Sequence, residues 1–89
     1  MAEGTVTTPE YVAKLIEQLQ QRFPGGQVSY QQVRADRYRF VLVWNGFEGM
    51  GHPERQRLVW DVADVAVAKA DVLKVAMIIT LAPSELPEE

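Results

Sequence analysis

The spacing of apolar residues changes abruptly at Val28, and this change constrains the fold more than any other feature of the chain. From Val12 to Phe23 apolar residues recur every three or four positions, which predicts an amphipathic helix that ends before Pro24-Gly25-Gly26. From Val28 to Trp44 the period is two, which predicts two strands joined by a turn near Ala35-Asp36. The chain therefore begins with a helix followed by a β-hairpin.

Two proline-led segments mark helix starts. Thr8-Pro9-Glu10 opens the first helix, and His52-Pro53-Glu54 repeats the pattern, because proline fits the first helical position and an early glutamate favours the positive end of the helix dipole. A short helix or turn is predicted near Lys69-Ala70-Asp71. A last strand should run from Val72 to Leu81 and stop at Pro83.

This order of elements predicts a two-layer α+β sandwich, in the order α-β-β-α-(α)-β, with a three-stranded mixed sheet and helices on one face. Tyr38 to Trp44 is apolar on both faces towards its end and is expected at the centre of the sheet. The 89 residues make one domain, with a core at about 9–83 and a flexible acidic tail at 84–89. Trp44 and Trp60 are expected to be largely buried, whereas Phe47 is the ring left open for an exposed site.

Side chains suited to catalysis are scarce. The chain has no cysteine and one histidine, His52, which excludes disulfides, thiolate metal ligands and cysteine nucleophiles. Scattered acids around one histidine make a poor metal set. The sequence predicts a protein that is not an enzyme, with no catalytic residues, no metal and no cofactor.

The chain is acidic overall but has local groups of basic residues. A net charge of −3 and a pI near 5.1 disfavour sequence-independent nucleic-acid binding. Arginines nevertheless gather at Arg34, Arg37 and Arg39 and again at Arg55 and Arg57. They form either a local basic surface or solvated charges that protect a hairpin edge. No segment has the length of a membrane span, and we expect a cytoplasmic protein, monomeric or weakly dimeric.

Two segments carry a resemblance to a known family. Phe47-Glu48-Gly49 is followed by Arg55-Gln56-Arg57-Leu58-Val59-Trp60, and the last strand with its stop reads Lys74-Val75-Ala76-Met77-Ile78-Ile79-Thr80-Leu81-Ala82-Pro83. Over about residues 9 to 85 the chain resembles the BolA family. The resemblance implies a class II KH-like fold and a regulatory or partner-binding role linked to stress or iron homeostasis.

The chain departs from the family at two positions. Gln56 and Lys74 stand where the family has histidines, and the family's last-strand histidine is the one assigned to a [2Fe-2S] cluster shared with a monothiol glutaredoxin. A lysine ammonium has no free lone pair to ligate iron. The resemblance therefore implies a protein partner, with a monothiol glutaredoxin as the candidate, and the two substitutions predict that no cluster is ligated.

The sequence-based hypothesis is binding of a macromolecular partner by Arg55, Arg57, His52 and Lys74, four potential cations expected around one groove. The alternative is a KH-like nucleic-acid-binding or transcription-regulatory domain, because Gly46 to Gly49 forms a Gly-x-x-Gly segment. Glu48 within that segment opposes phosphate binding. A third possibility is a domain that keeps the family fold and has lost its function.

Overall fold

The computed structural model describes residues 9–86. The elements follow the predicted order: α1 Glu10–Arg22, β1 Gln27–Arg34, β2 Arg37–Val43, α2 His52–Ala66, α3 Lys69–Val72 and β3 Val75–Leu81. Single turns of 3-10 helix lie at Asn45–Phe47 and Pro83–Glu85. The α+β class and the order of elements are confirmed.

The sheet has three strands in the order β1-β2-β3, with β2 in the centre as predicted. β2 is antiparallel to β1 and parallel to β3, so the sheet is mixed. Along β2 the side chains of Tyr38, Phe40 and Leu42 are buried under the helices, and the residues between them point to the other face. Both long helices therefore cover one face of the sheet and leave the other uncovered by residues 9–86.

The core lies between this covered face and the apolar stripe of α1. Val12, Leu15 and Leu19 are fully buried at the spacing the sequence predicted. Pro9 occupies the N-cap of α1, one position before the first helical position expected for it, and Thr8 lies outside the described residues. Within residues 9–86 no helix is both long enough and apolar enough to cross a bilayer.

β3 begins three residues later than predicted. Val72 closes α3, where its amide donates to Ala68 O at 3.0 Å, and the amide of Lys74 donates to Asp71 O at 2.9 Å. These helical and turn hydrogen bonds take the place of strand pairing until Val75, which pairs with Tyr38.

The exposure of the aromatic side chains differs from the prediction. Phe47 is fully buried, whereas Trp44 and Trp60 are only half-buried. The 3-10 turn directs Phe47 inwards against Phe23 and Trp44, at ring-centroid distances of 5.8 and 5.2 Å. Trp44 lies over Gly46 so closely that a Cβ there would be 2.4 Å from its ring. The glycine is required for this close approach, and the two rings together close the end of the core.

Candidate partner-binding surface

Arg55 is a buried connector between three segments. Its Nε donates to Met50 O at 2.8 Å and its Nη2 to Phe47 O at 3.0 Å, both in the loop before α2. The two terminal nitrogens also bind the Glu85 carboxylate, at 2.7 and 2.8 Å. The side chain is 8% exposed. Arg55 was predicted to bind a partner, but its guanidinium is directed into the protein and holds the loop and the C-terminal turn to α2.

Glu85 completes this connection. Its hydrogen bond with Arg55, together with one from the amide of Ala82, lowers the pKa of the Glu85 carboxyl to about 2. Ser84 bonds the neighbouring loop, because its hydroxyl and amide both donate to Glu48, at 2.8 and 3.2 Å. The sequence assigned Ser84 and Glu85 to a flexible tail, and both residues instead bond to the domain. The mobility predicted for residues 87–89 concerns residues outside those described.

The other predicted site residues do not surround one groove. His52 and Arg57 are exposed on the first turns of α2. Lys74 precedes β3, while Arg55 contacts Thr80 near the other end of that strand, at 3.4 Å. A strand of 7 residues separates the two ends, which is roughly 20 Å at the usual rise of a strand. The structure therefore groups His52, Arg55 and Arg57 and leaves Lys74 apart from them.

Lys74 lies in surroundings of its own. Its Nζ is 3.2 Å from the Asp71 carboxylate and 5.9 Å from the centroid of the Tyr11 ring. Burial raises the pKa of the Tyr11 hydroxyl, and Tyr38, Asp71 and Asp36 raise it further. Lys74 therefore has a carboxylate and an aromatic ring of its own domain as neighbours.

Gln56, at the second position without the family histidine, joins α2 to the sheet. Its Nε2 donates to Ile78 O at 2.8 Å, and its Oε1 accepts from Trp60 Nε1 at 3.1 Å. The nitrogen and the oxygen of the Gln56 side-chain amide are therefore both hydrogen-bonded within the protein. Sequence reasoning missed this role because neither spacing nor composition distinguishes a bridging glutamine from a solvated one.

The two central amides of the Gly-x-x-Gly segment, and the amide of Met50 after it, are bonded within the loop. Phe47 N donates to Trp44 O, Glu48 N to Asn45 O and Met50 N to Phe47 O, all between 2.9 and 3.1 Å. The Glu48 carboxylate is engaged by Ser84. A KH-type loop clamps a nucleic-acid backbone, and this segment is closed on itself with an acid at its rim.

One face of the sheet is not covered by either long helix within residues 9–86. Its side chains stand in cross-strand rows fixed by the strand register, because paired residues share a face. From the hairpin end, the rows are Arg34 and Arg37; Gln31, Arg39 and Met77; Ser29, Val41 and Ile79; Gln27, Val43 and Leu81. We call this surface the open face.

The open face has an apolar part on β2 and β3, in the two rows furthest from the hairpin turn. Val41, Val43, Ile79 and Leu81 are half-buried, and within residues 9–86 they lie outside the hydrophobic core. Met77 is 47% exposed beside them. The β1 residues of these rows are glutamine and serine, and arginines lie at the hairpin end. An apolar area bordered by polar and charged side chains is a feature of protein interfaces.

Solved structures with the same architecture identify the fold. Over 90% of this chain and 100% of the other, the protein superposes on BolA1 from Arabidopsis thaliana with a TM-score of 0.70 at 23% sequence identity. The BolA domain of SufE1 from Arabidopsis thaliana gives 0.66 at 18% identity, over 90% of this chain and all of that domain. The chain has a BolA-like fold. A bol-like protein from Babesia bovis agrees, with a TM-score of 0.51, 21% identity and 92% of each chain covered.

Sequence comparison adds no closer relationship, since no family model and no curated protein matches the chain. The BolA-like fold explains why the family motif is recognisable at such low identity. Phe47 and Arg55, two residues that carry the resemblance, are buried and hold the loop between β2 and α2. The motif residues seen most clearly in the sequence therefore serve the architecture.

Proposed function

We propose that this protein acts without catalysis, by binding a macromolecular partner, and that the partner is a protein. The observation that carries the proposal is the open face, with its apolar part formed by Val41, Val43, Ile79 and Leu81. Monomeric proteins rarely expose contiguous apolar patches larger than a few hundred Å², and larger patches mark interaction sites. The BolA-like fold supports a regulatory binding role of the kind the family resemblance implies.

A protein partner suits this surface better than nucleic acid does. Single-stranded nucleic acid is bound on sheets by aromatic rings that stack on bases. The rows of the open face contain no aromatic residue. The net charge of −3 adds a general repulsion for phosphates.

The four residues that the sequence analysis assigned to partner binding have secondary roles in the proposed function. Arg57 and His52 are exposed at the start of α2, on the helix layer, and we propose them as secondary contacts for an acidic partner surface. Arg55 supports that region from within through its bond to Glu85. Lys74, at the other end of β3, is proposed as a separate contact.

Capture of partners tests the proposal. Tagged protein and its Val41→Lys, Ile79→Lys double variant should be compared as baits in extract of the source cells. We expect specific partners to be captured by the unmodified protein and lost with the double variant, because two ammonium groups in an apolar interface are left without partners. The matched control is Val65→Lys, Leu73→Lys, because both residues are 75% exposed outside the open face. Equal capture by all three folded proteins would contradict the proposal.

We also propose that the protein does not ligate an iron–sulfur cluster. At the position of the family ligand, the Lys74 ammonium pairs with Asp71 at 3.2 Å, and a protonated amine cannot donate an electron pair to iron. Adding the protein to a cluster-loaded monothiol glutaredoxin should leave the visible spectrum of the glutaredoxin unchanged. Lys74→His should create a new heterodimer absorption if the partner surface is retained.

His52 is the control for this experiment, since it is the chain's sole imidazole. It opens α2, next to the Arg55–Glu85 pair and far from Lys74. A heterodimer spectrum from the unmodified protein that disappears in His52→Ala would show that the cluster role persists through another ligand.

A further inference from the structure

The open face has the dimensions of one helix. β2 and β3 have 7 residues each, so each is roughly 20 Å long at 3.3 Å per residue. Three strands spaced by about 4.8 Å place the outer strands about 10 Å apart, close to the diameter of a single α-helix. A helix of about 14 residues, rising 1.5 Å per residue, would cover the rows from end to end.

The backbone of the sheet also favours a helix. β2 is paired on both sides, so the open face offers side chains and no free backbone groups from its central strand. An extended peptide laid on this face would leave its own amides and carbonyls without partners, whereas a helix satisfies them internally. Helix α1 and helix α2 already cover the opposite face, and a partner helix would complete a three-layer arrangement.

The charges of the open face specify the partner further. Arg34 and Arg37 stand directly opposite each other in the register, a like-charge pair that is unfavourable by itself. Arg39 follows in the next row, where its Nη2 donates to Gln31 Oε1 and its buried Nε has no hydrogen-bond acceptor in the described part of the chain. Carboxylates above this end would offset the repulsion between Arg34 and Arg37 and accept hydrogen bonds from their exposed guanidinium groups.

A second copy of the chain does not meet this requirement. The rows contain three arginines and no aspartate or glutamate. Two open faces packed together would therefore bring cations and apolar side chains to the contact without any carboxylate to pair with them. The surface is not complementary to itself.

We propose that the open face binds a single amphipathic helix of a protein partner, with its apolar stripe over Val41, Val43, Ile79 and Leu81 and its acidic residues over Arg34, Arg37 and Arg39. This inference rests on the proposed function of the open face as a partner-binding surface. It adds the shape, orientation and charge of what is bound.

Two synthetic peptides test the inference. Both are 16-residue helix-forming sequences with the same leucine and isoleucine stripe, and they carry three glutamates or three lysines at one end. Titration into the isotope-labelled protein should shift the backbone amides of β2 and β3 with the glutamate peptide. The lysine peptide should bind at least about fivefold more weakly, the effect of a few exposed ion pairs.

Charge reversal provides the deciding comparison. Arg34→Glu, Arg37→Glu should invert the preference so that the lysine peptide binds more tightly, while Lys14→Glu, Arg22→Glu on α1 makes the same change of net charge and should leave the preference intact. Three results would each overturn the inference. The first is an unchanged peptide preference in the Arg34→Glu, Arg37→Glu variant. The others are chemical-shift changes confined to the helix layer, and no chemical-shift change with millimolar peptide. Partner capture that depends on Val41 and Ile79 would in those cases still uphold the proposed function, so the two failures are distinguishable.

Discussion

Replacing Phe47 with alanine is expected to lower the free energy of unfolding by about 3 to 5 kcal/mol, the usual cost of removing a buried phenylalanine. Phe47 is fully buried and contacts Phe23 and Trp44 at the end of the core. The Arg55 guanidinium also lies 5.5 Å from its ring centroid. A cavity there would remove packing from the loop, the sheet and α2 at once. Chemical denaturation with fluorescence detection measures the change.

Leu73→Ala is the matched control, since Leu73 is a large apolar residue that is 75% exposed. Its substitution should change the free energy of unfolding by no more than about 0.5 kcal/mol. If the two variants lost similar stability, or if Phe47→Ala lost none, the inward orientation of Phe47 would be wrong.

Replacing Arg55 with alanine should lower the melting temperature by on the order of 10 °C, a large change for a domain of this length. The substitution removes the side-chain donor to Met50 O and one of the two donors to Phe47 O, and it breaks the ion pair with Glu85. Arg57→Ala, on an exposed position of the same helix, is the control and should have little effect. Differential scanning calorimetry of the purified variants gives both values.

The Arg55–Glu85 ion pair should make the free energy of unfolding depend on pH in the acid range. The folded pKa of Glu85 is about 2, below its value of roughly 4.3 in an unfolded chain. Its contribution is therefore complete above about pH 4.3 and is lost as the pH falls towards 2. Glu85→Gln should weaken the domain at neutral pH and flatten this part of the pH profile. An identical acid profile in the two proteins would contradict the role given to Glu85.

The sequence predicted the elements that depend on local chemistry. Proline-led starts, the stripe of Val12, Leu15 and Leu19, and the alternation along β2 each follow from backbone or burial rules that act within a few residues. The start of β3 was less predictable. Val72 carries a strand-like side chain, but the hydrogen bonds that decide its conformation come from Ala68 and Asp71 in the preceding turn.

The predicted site failed where a side chain's direction depends on distant partners. Arg55 resembles a surface cation in the sequence, because its acceptors are carbonyls of a loop and a carboxylate 30 positions away. The open face was readable in part. Residues 38 to 44 are apolar on both faces towards the end of the strand, and the predicted helices cover one face. The register that places Ile79 and Leu81 beside Val41 and Val43 could not be predicted from the sequence.

Gln56 closes one border of the sheet to other chains. Its bond to Ile78 O, together with the contact of Arg55 with Thr80 O, occupies carbonyls along the outer edge of β3. β1 and β3 are the two outer strands of the sheet within residues 9–86. An extended chain that paired with β3 would have to displace the side-chain donors of Gln56 and Arg55 from these two carbonyls. The edge of β3 is therefore less open to strand addition than a bare edge would be.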